Sequence, residues 1–125
     1  MTRLSRPAPF EYDPRALASV DDLLALDVRV GTIVSAQVLR GARTPCFALS
    51  ISFGELGRKT ASAPLTDLYE TDDIVGLQVA AVVNVPAETV AGLLSEVRVL
   101  TVDDGKGGRI LVIPERPVPD GGRLA

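Results

Sequence analysis

Strict alternation of apolar and small side chains from position 46 to position 53 most limits what this chain can fold into. The larger members are Phe47, Leu49, Ile51 and Phe53, and between them stand Cys46, Ala48, Ser50 and Ser52. Successive side chains of a β-strand point to opposite faces, so this pattern predicts a strand with one face in a core.

A longer stretch, from position 28 to 39, alternates in the same way. Its even positions are mostly apolar: Val28, Val30, Thr32, Val34, Ala36 and Val38. The spacing predicts a long half-buried strand with these side chains on one face. Gly31 inside the strand predicts a bend or bulge. The loop over residues 40–45 carries Arg40 and Arg43, so the two strands form a predicted hairpin with a basic tip.

The rest of the chain has further short strand patterns separated by turn residues. We predict strands near residues 58–63, 77–83, 95–102 and 110–113, with a turn over 103–108. Ser19 and Asp22 predict a capped short helix, and Thr71 is a predicted N-cap of another. The proline-rich end is predicted to be an extended arm. Many short strands with little helix indicate an all-β barrel or sandwich.

Charge is distributed unevenly, although the net formal charge is only −3. Between residues 28 and 60, Glu55 is the only acid against five basic residues, which are Arg29, Arg40, Arg43, Arg58 and Lys59. Folded onto one face, this segment would attract an anionic polymer. The alternative is that these are solvated strand and loop charges.

The absence of histidine excludes most enzyme mechanisms. Histidine is the usual base that activates a serine or cysteine nucleophile and the commonest transition-metal ligand. The single cysteine, Cys46, is therefore predicted to be an inert small residue. We predict a protein that is not an enzyme and has no cofactor and no metal site. No apolar stretch approaches the length of a membrane span, so no membrane insertion is expected and the predicted location is the cytoplasm.

Two polar clusters are candidate binding residues, each with a structural alternative. Lys59 and Ser62 on the third strand could contact phosphate, or they could mark a solvent-facing edge strand. Ser95 and Glu96, with Asn84, could form a polar site beside the basic hairpin. Alternatively, Ser95 and Glu96 bond nearby backbone groups and fix the loop.

Few aromatic side chains remain for stacking bases, because Phe47 and Phe53 alternate into the predicted core. A surface that stacks successive bases of a single strand is not expected. Nucleic-acid recognition would then rest on phosphates, 2′-hydroxyls and overall RNA shape.

An ordered set of motifs resembles one known family. Residues 27–33 read DVRVGTI, Phe53 is followed by Gly54, residues 79–86 read VAAVVNVP, residues 91–97 read AGLLSEV, and residues 117–125 read PVPDGGRLA. Together they resemble the tRNA-binding domain family, the OB-fold module appended to many methionyl- and phenylalanyl-tRNA synthetases. Among its members, the similarity is to the stand-alone bacterial CsaA type, from about residue 20 to residue 125.

The resemblance implies a five-stranded OB-fold barrel over residues 19–125, with a flexible N-terminal arm over residues 1–18. It also implies a homodimer built by short helical N-terminal and extended C-terminal additions. CsaA-type proteins are described as export-related chaperones that bind unfolded preproteins and the translocation ATPase, on the fold of a tRNA binder. The alternative function is a stand-alone tRNA-binding accessory protein for an aminoacyl-tRNA synthetase.

The family's binding surface can be transferred onto this sequence position by position. The implied ligand-binding residues are Arg29, Arg40, Arg43, Lys59, Ser62, Asn84, Ser95 and Glu96. For a peptide ligand, an apolar groove is expected around Leu93 and Leu94.

Overall fold

The computed structural model describes residues 13–125. In chain order, the helices and strands are α1 (Val20–Ala25), β1 (Val28–Leu39), β2 (Cys46–Ser52), β3 (Arg58–Ala63), α2 (Thr71–Ile74), β4 (Gln78–Val82), β5 (Glu88–Val90), β6 (Leu93–Ser95), β7 (Arg98–Val99), β8 (Thr101–Asp103) and β9 (Arg109–Leu111). Single 3₁₀ turns lie at Pro14–Ala16 and Gly54–Leu56. Of the predicted N-terminal arm, residues 1–12 lie outside the described residues.

One antiparallel sheet organises the molecule, with strand order β3-β2-β1-β4-β7. Two small hairpins, β5–β6 and β8–β9, complete the strands. The sheet curls until β3 meets the segment after β6, where the Glu96 amide donates to the Thr60 carbonyl at 2.8 Å. This is the predicted all-β architecture, a five-stranded OB-type barrel. Among residues 13–125, no helix is long and apolar enough to cross a membrane.

The alternation of β2 is confirmed by burial. Phe47, Leu49, Ile51 and Phe53 all lie in the core and are at most 3% exposed. They pack with side chains from each of the other four strands of the main sheet, namely Ile33 on β1, Ala61 on β3, Val79 on β4 and Val99 on β7. The core therefore lies on the concave side of the sheet.

The predicted inward face of β1 was wrong for the first half of the strand. Gly31 and Ile33, at odd positions, face the core, whereas Ala36 packs against it from an even position. The reason is a β-bulge between Ile33 and Ser35, where the pairing with β2 slips by one residue. A one-residue shift moves the following side chains to the opposite face.

The C-terminal segment, residues 114–125, explains why Val30 on the outer face of β1 is still half-buried. β2 pairs with β1 only from Thr32 onward, and the C-terminal segment pairs with β1 before that point. The Gly121 amide donates to the Val30 carbonyl at 2.7 Å, and the Leu124 amide to the Val28 carbonyl at 2.9 Å. The predicted extended arm is therefore an ordered extension of the sheet.

The helix predictions were close. Ser19 caps α1, and the Ser19 and Asp22 side chains each accept a hydrogen bond from the other residue's backbone amide, as predicted. Thr71, however, is the first residue of α2 rather than its N-cap, which is Glu70. The Glu70 amide donates to the Asp73 carboxylate at 3.1 Å, so the cap lies one residue earlier than predicted.

The stretch from 88 to 103 departs most from the prediction. Residues 88–95 form a hairpin whose two-residue turn, Ala91 and Gly92, has positive φ at both positions (48° and 84°). The strand predicted over 95–102 is broken after Ser95, because the amides of Glu96 and Val97 both point to the Thr60 carbonyl on β3. Barrel closure therefore overrides local strand alternation.

Candidate nucleic-acid interface

The outer face of β1, β2 and β3 carries small polar side chains. Their pairing register sets two rows across the three strands, namely Ser35, Ser50 and Thr60, and Gln37, Ala48 and Ser62. In OB-folds, this face and the loops beside it bind oligonucleotides. The sequence therefore builds a shallow surface at the position where such folds bind their ligands.

Glu96 closes the barrel at one border of this face. Its carboxylate accepts hydrogen bonds from the Thr60 amide and the Thr60 hydroxyl, both at 3.1 Å. These bonds hold the pKa of Glu96 below its usual range, with a smaller contribution from Lys59, whose ammonium lies 3.9 Å from the carboxylate. The Thr60 hydroxyl is also within hydrogen-bond reach of the Leu94 carbonyl.

Ser62 and Ser95 continue the same border. The Ser62 amide donates to the Ser95 hydroxyl at 2.9 Å, and the two hydroxyl oxygens lie 3.3 Å apart. At this border, hydrogen bonds from β3 amides to the Glu96 and Ser95 side chains take the place of backbone hydrogen bonds to a neighbouring strand. The structural reading of Ser95 and Glu96, bonding to nearby backbone, is thus what the geometry shows, and Lys59 and Ser62 lie beside them.

A cleft of about 490 Å³, called here the main cleft, lies between the basic loop and the tip of the β5–β6 hairpin. It is lined by Gly41, Ala42, Arg43, Thr44, Cys46, Ser62, Ala63, Pro64, Thr89, Val90 and Ala91. Cys46 is buried, and that burial raises the pKa of its thiol, so it acts as a wall residue rather than a nucleophile. Arg40 precedes Arg43 in the same loop and is exposed.

Two further hollows share Ser62 with the main cleft. One, of about 280 Å³, includes Glu88 and Arg98, and the other, of about 340 Å³, includes Arg98 and Arg109. Arg98 and Arg109 were missed at the sequence level because Arg98 stands in an acidic stretch and Arg109 in a different segment. Only the curl of the sheet brings them beside the basic loop.

Arg29 and Asn84 lie in a different part of the molecule. The Arg29 guanidinium contacts the Asp27 carboxylate at 2.6 Å and the Gly121 carbonyl at 3.0 Å. Asn84 accepts from the Asp27 amide at 2.7 Å and donates to the Ala25 carbonyl at 2.8 Å. Both side chains join α1, the start of β1 and the C-terminal segment, and the structure does not bring them to the main cleft.

Leu93 and Leu94 stand on β6, at the edge of the hairpin that borders the main cleft. Leu94 is 53% exposed, and Leu93 is half-buried. Within residues 13–125, no three side chains of the metal-binding types are grouped to hold an ion.

The sequence model of the putative tRNA-binding domain family matches residues 28–123. Methionine--tRNA ligase of Leptospira interrogans serovar copenhageni is 32% identical over 118 residues, which cover 94% of this chain and 16% of the relative. The enzyme of that name from Methanococcoides burtonii is 31% identical over 105 residues, or 84% of this chain and 15% of the relative. The chain thus spans only about 15% of the length of these curated relatives.

Two solved structures are similar over their whole length. The chaperone CsaA of Bacillus anthracis str. Ames is 42% identical, with a TM-score of 0.82 over 88% of this chain and 100% of that one. The CsaA chaperone protein of Picrophilus torridus is 33% identical, with a TM-score of 0.81 over 87% of this chain and 100% of that one.

The fold and its polar outer face define an OB-fold binding protein. The chain belongs to the putative tRNA-binding domain family, and within that family it is of the CsaA type.

Proposed function

We propose that this chain binds tRNA through the main cleft and the two hollows beside it, without catalysing a reaction. Arg43, Arg98 and Arg109 come from three separate segments and line hollows that share Ser62. This convergence is the observation that carries the proposal, because phosphate contacts supply much of the affinity of a nucleic-acid binder.

The availability of these arginines for a new ion pair supports phosphate binding. The ion pairs found among residues 13–125 do not include Arg43, Arg98 or Arg109. An arginine without a carboxylate partner can bind phosphate without first breaking an internal contact. A local patch of this kind attracts an anionic polymer even though the whole chain carries −3.

The other predicted polar site residues fall into three roles in this proposal. Arg40 and Ser62 extend the phosphate-binding set, whereas Lys59, Ser95 and Glu96 hold the β5–β6 hairpin against β3. Arg29 and Asn84 secure the C-terminal segment and α1. Binding tRNA places the function in the cytoplasm.

Replacing Arg43, Arg98 or Arg109 singly with glutamine should weaken tRNA binding by about tenfold, because each loses one phosphate contact. Each replacement should also lower the slope of log affinity against log salt by about one. Fluorescence anisotropy with labelled bulk tRNA at several salt concentrations measures both quantities.

The matched control is Arg116→Gln, which makes the same change in net charge. Arg116 is exposed, and among residues 13–125 its side chain forms a hydrogen bond and ion pair only with its neighbour Glu115 in the C-terminal segment. Salt slopes that stay at the wild-type value in all three cleft variants would remove these arginines from the phosphate contacts.

A second candidate function is an export-related chaperone that binds unfolded preproteins and the translocation ATPase. The aliphatic walls of the main cleft and the exposed Leu94 favour it, as does the similarity to the CsaA chaperones of Bacillus anthracis and Picrophilus torridus. Peptide held by apolar contacts would be far less sensitive to salt than tRNA. An unfolded preprotein segment titrated beside tRNA distinguishes the two. If the chain is instead a tRNA-binding accessory protein of a synthetase, we expect it to bind tRNA and not the preprotein segment.

We also propose that the protein is a homodimer in which α1 and the C-terminal segment of each copy meet. No residue of α1 is buried, although Val20, Leu23 and Leu24 are apolar. The Arg123 guanidinium donates to the Leu24 carbonyl at 3.0 Å, so the two segments form one continuous surface. An apolar patch of this kind typically marks a protein interface.

Light scattering should give twice the chain mass of 13.2 kDa, and Leu23→Asp should give the monomer mass. The charge would be buried without a partner in the interface. Leu68→Asp is the control, because Leu68 is 46% exposed, close to the 48% of Leu23, and lies outside this surface. A wild-type protein with monomer mass at high concentration would refute the dimer.

A further inference from the structure

We infer that the main cleft receives a single unpaired nucleobase while Arg98 and Arg109 hold the phosphates on either side of it. This inference rests on the proposed tRNA binding and adds a defined ligand element: an RNA stem interrupted by one unpaired nucleotide. It depends on the wall chemistry of the main cleft, on the residues that the cleft shares with the neighbouring hollows, and on the lack of an aromatic side chain at the cleft among residues 13–125.

The walls of the main cleft suit an uncharged ring. Ala42, Ala63, Pro64 and Val90 contribute aliphatic surface, and Arg43 is the only charged residue among those that line it. Its volume, about 490 Å³, is within the range typical of small-molecule sites. A planar base would gain favourable burial of its faces there, whereas a phosphate would not.

The arginines beside the main cleft select a nucleotide over other apolar ligands. One neighbouring hollow carries Arg98 and Arg109 without an acid, whereas the other carries Arg98 and Glu88. Ser62 lines all three cavities, and Pro64 lines both the main cleft and the hollow with Arg98 and Arg109. An apolar cavity that shares Ser62 and Pro64 with a hollow lined by two arginines matches the chemistry of RNA, in which each uncharged base is joined to an anionic phosphodiester. An unfolded peptide has a neutral backbone, so only its acidic side chains could pair with these arginines, whereas every nucleotide of RNA brings a phosphate.

Ser62 can also contact the edge of the base. Its hydroxyl lies 3.3 Å from the Ser95 hydroxyl, and its amide is satisfied by that same oxygen. A serine hydroxyl has one donor and two acceptor positions, so the Ser95 contact leaves capacity for a base heteroatom. Unpaired bases are commonly recognised by such hydrogen bonds to their edges.

Among residues 13–125, the positions of the aromatic side chains favour a site for one base. Phe47 and Phe53 are buried in the core, and the Tyr69 hydroxyl accepts a hydrogen bond from the Leu111 amide at 3.2 Å. In the part of the chain that the structure describes, no aromatic side chain lines the main cleft. A run of stacked single-stranded bases therefore has no platform here, in contrast to OB-folds that stack bases on aromatic side chains.

The test compares two RNA hairpins that differ by one nucleotide. One has a continuous stem, and the other carries a single bulged 2-aminopurine, whose fluorescence reports its environment. We expect the bulged hairpin to bind about tenfold more tightly. The fluorescence of the bulged base should change on binding, because the base leaves its stacked or solvated position.

Filling the cleft should remove this preference. Thr89→Trp and Ala42→Trp each place an indole at the cleft wall and should bring the two hairpins to equal affinity without abolishing binding. Val102→Trp is the control, because Val102 is 56% exposed on β8 and lines none of the three cavities described above. Circular dichroism and thermal melting confirm that each variant is folded.

The alternative outcomes are separable. Equal affinity of the wild type for the two hairpins would overturn the base site but leave tRNA binding standing. Failure of both hairpins and of bulk tRNA to bind would overturn the proposed function and this inference with it. If an unfolded peptide quenches the 2-aminopurine response without displacing the hairpin, the cleft belongs to the peptide and the inference is wrong.

Discussion

Gly31→Val should yield a protein that does not fold, although valine is a far better strand former than glycine. A Cβ atom at Gly31 would lie 2.7 Å from Ile51 Cγ2 and 2.8 Å from the Phe53 ring. Ile51 and Phe53 are at most 1% exposed, so neither can move into free space. The smaller Gly31→Ala should reduce the free energy of unfolding by about 3 kcal/mol, the upper end of typical overpacking costs.

Urea denaturation followed by circular dichroism measures the alanine variant, and the soluble yield with far-ultraviolet circular dichroism reports on the valine variant. Gly57→Ala is the control, because Gly57 has a positive φ (86°) but nothing within 4 Å of an added Cβ. It carries the cost of a backbone conformation that is essentially restricted to glycine (φ 86°, ψ −174°), about 1 to 3 kcal/mol, without a clash. A Gly31→Ala protein as stable as the wild type would mean that the ring of Phe53 does not press on this strand.

Gly121→Ala should detach the C-terminal segment and destabilise the fold by about 3 kcal/mol. Gly121 has φ of 91°, and an added Cβ would lie 2.8 Å from the Phe53 carbonyl oxygen. The cost of placing alanine at this positive φ and the cost of the clash therefore add in the free energy of unfolding. The Gly121 amide bonds to Val30 and its carbonyl accepts from Arg29, so displacement of this residue breaks both contacts.

Gly76→Ala separates the two contributions, because Gly76 has nearly the same φ (93°) and open space around the added Cβ. Urea denaturation should show a loss about 1 to 2 kcal/mol smaller for Gly76→Ala than for Gly121→Ala. Limited carboxypeptidase digestion should trim the Gly121→Ala protein faster than the Gly76→Ala protein. Equal stability and equal trimming rates in the two variants would show that close packing at Gly121 is not a constraint.

The local sequence pattern predicted burial correctly where only one face of a strand contacts the core. β2 pairs on both sides, and the bulge in its pairing with β1 lies on β1, so the alternation of β2 from Phe47 onward corresponds directly to burial. The cap of α1 was also readable, because Ser19 and Asp22 satisfy backbone amides only three residues apart. Interactions of this range depend little on the rest of the chain.

Local pattern was misleading where distant segments supply the partner. The first half of β1 turns Gly31 and Ile33 inward because of the bulge, and the C-terminal segment covers the face that the pattern assigned to the core. Gly31 was interpreted as the site of a bend or bulge, yet the structure requires glycine there because the Phe53 ring packs directly against the Gly31 backbone. The β5–β6 hairpin escaped detection because its turn begins with Ala91, whereas asparagine or glycine is usual at that positive φ.

In the candidate site too, some residues could be predicted from the local sequence and others could not. The basic loop with Arg43 and the polar residues Ser62 and Ser95 were identified from local charge and residue type. Arg98 and Arg109, by contrast, contribute to the site only through the closure of the barrel. Arg29 belongs to a basic segment in sequence but contacts Asp27 and the C-terminal segment in the fold.

The sequence by itself determined the all-β class, the core strand β2, the cap of α1 and the family, because each depends on residue spacing or on an ordered set of motifs. Only the tertiary structure decided which face of β1 is buried, how side chains of Thr60, Ser62, Ser95 and Glu96 close the barrel, and which arginines surround the main cleft. The physical reason is that strand pairing joins residues tens of positions apart, and no local periodicity encodes those distances.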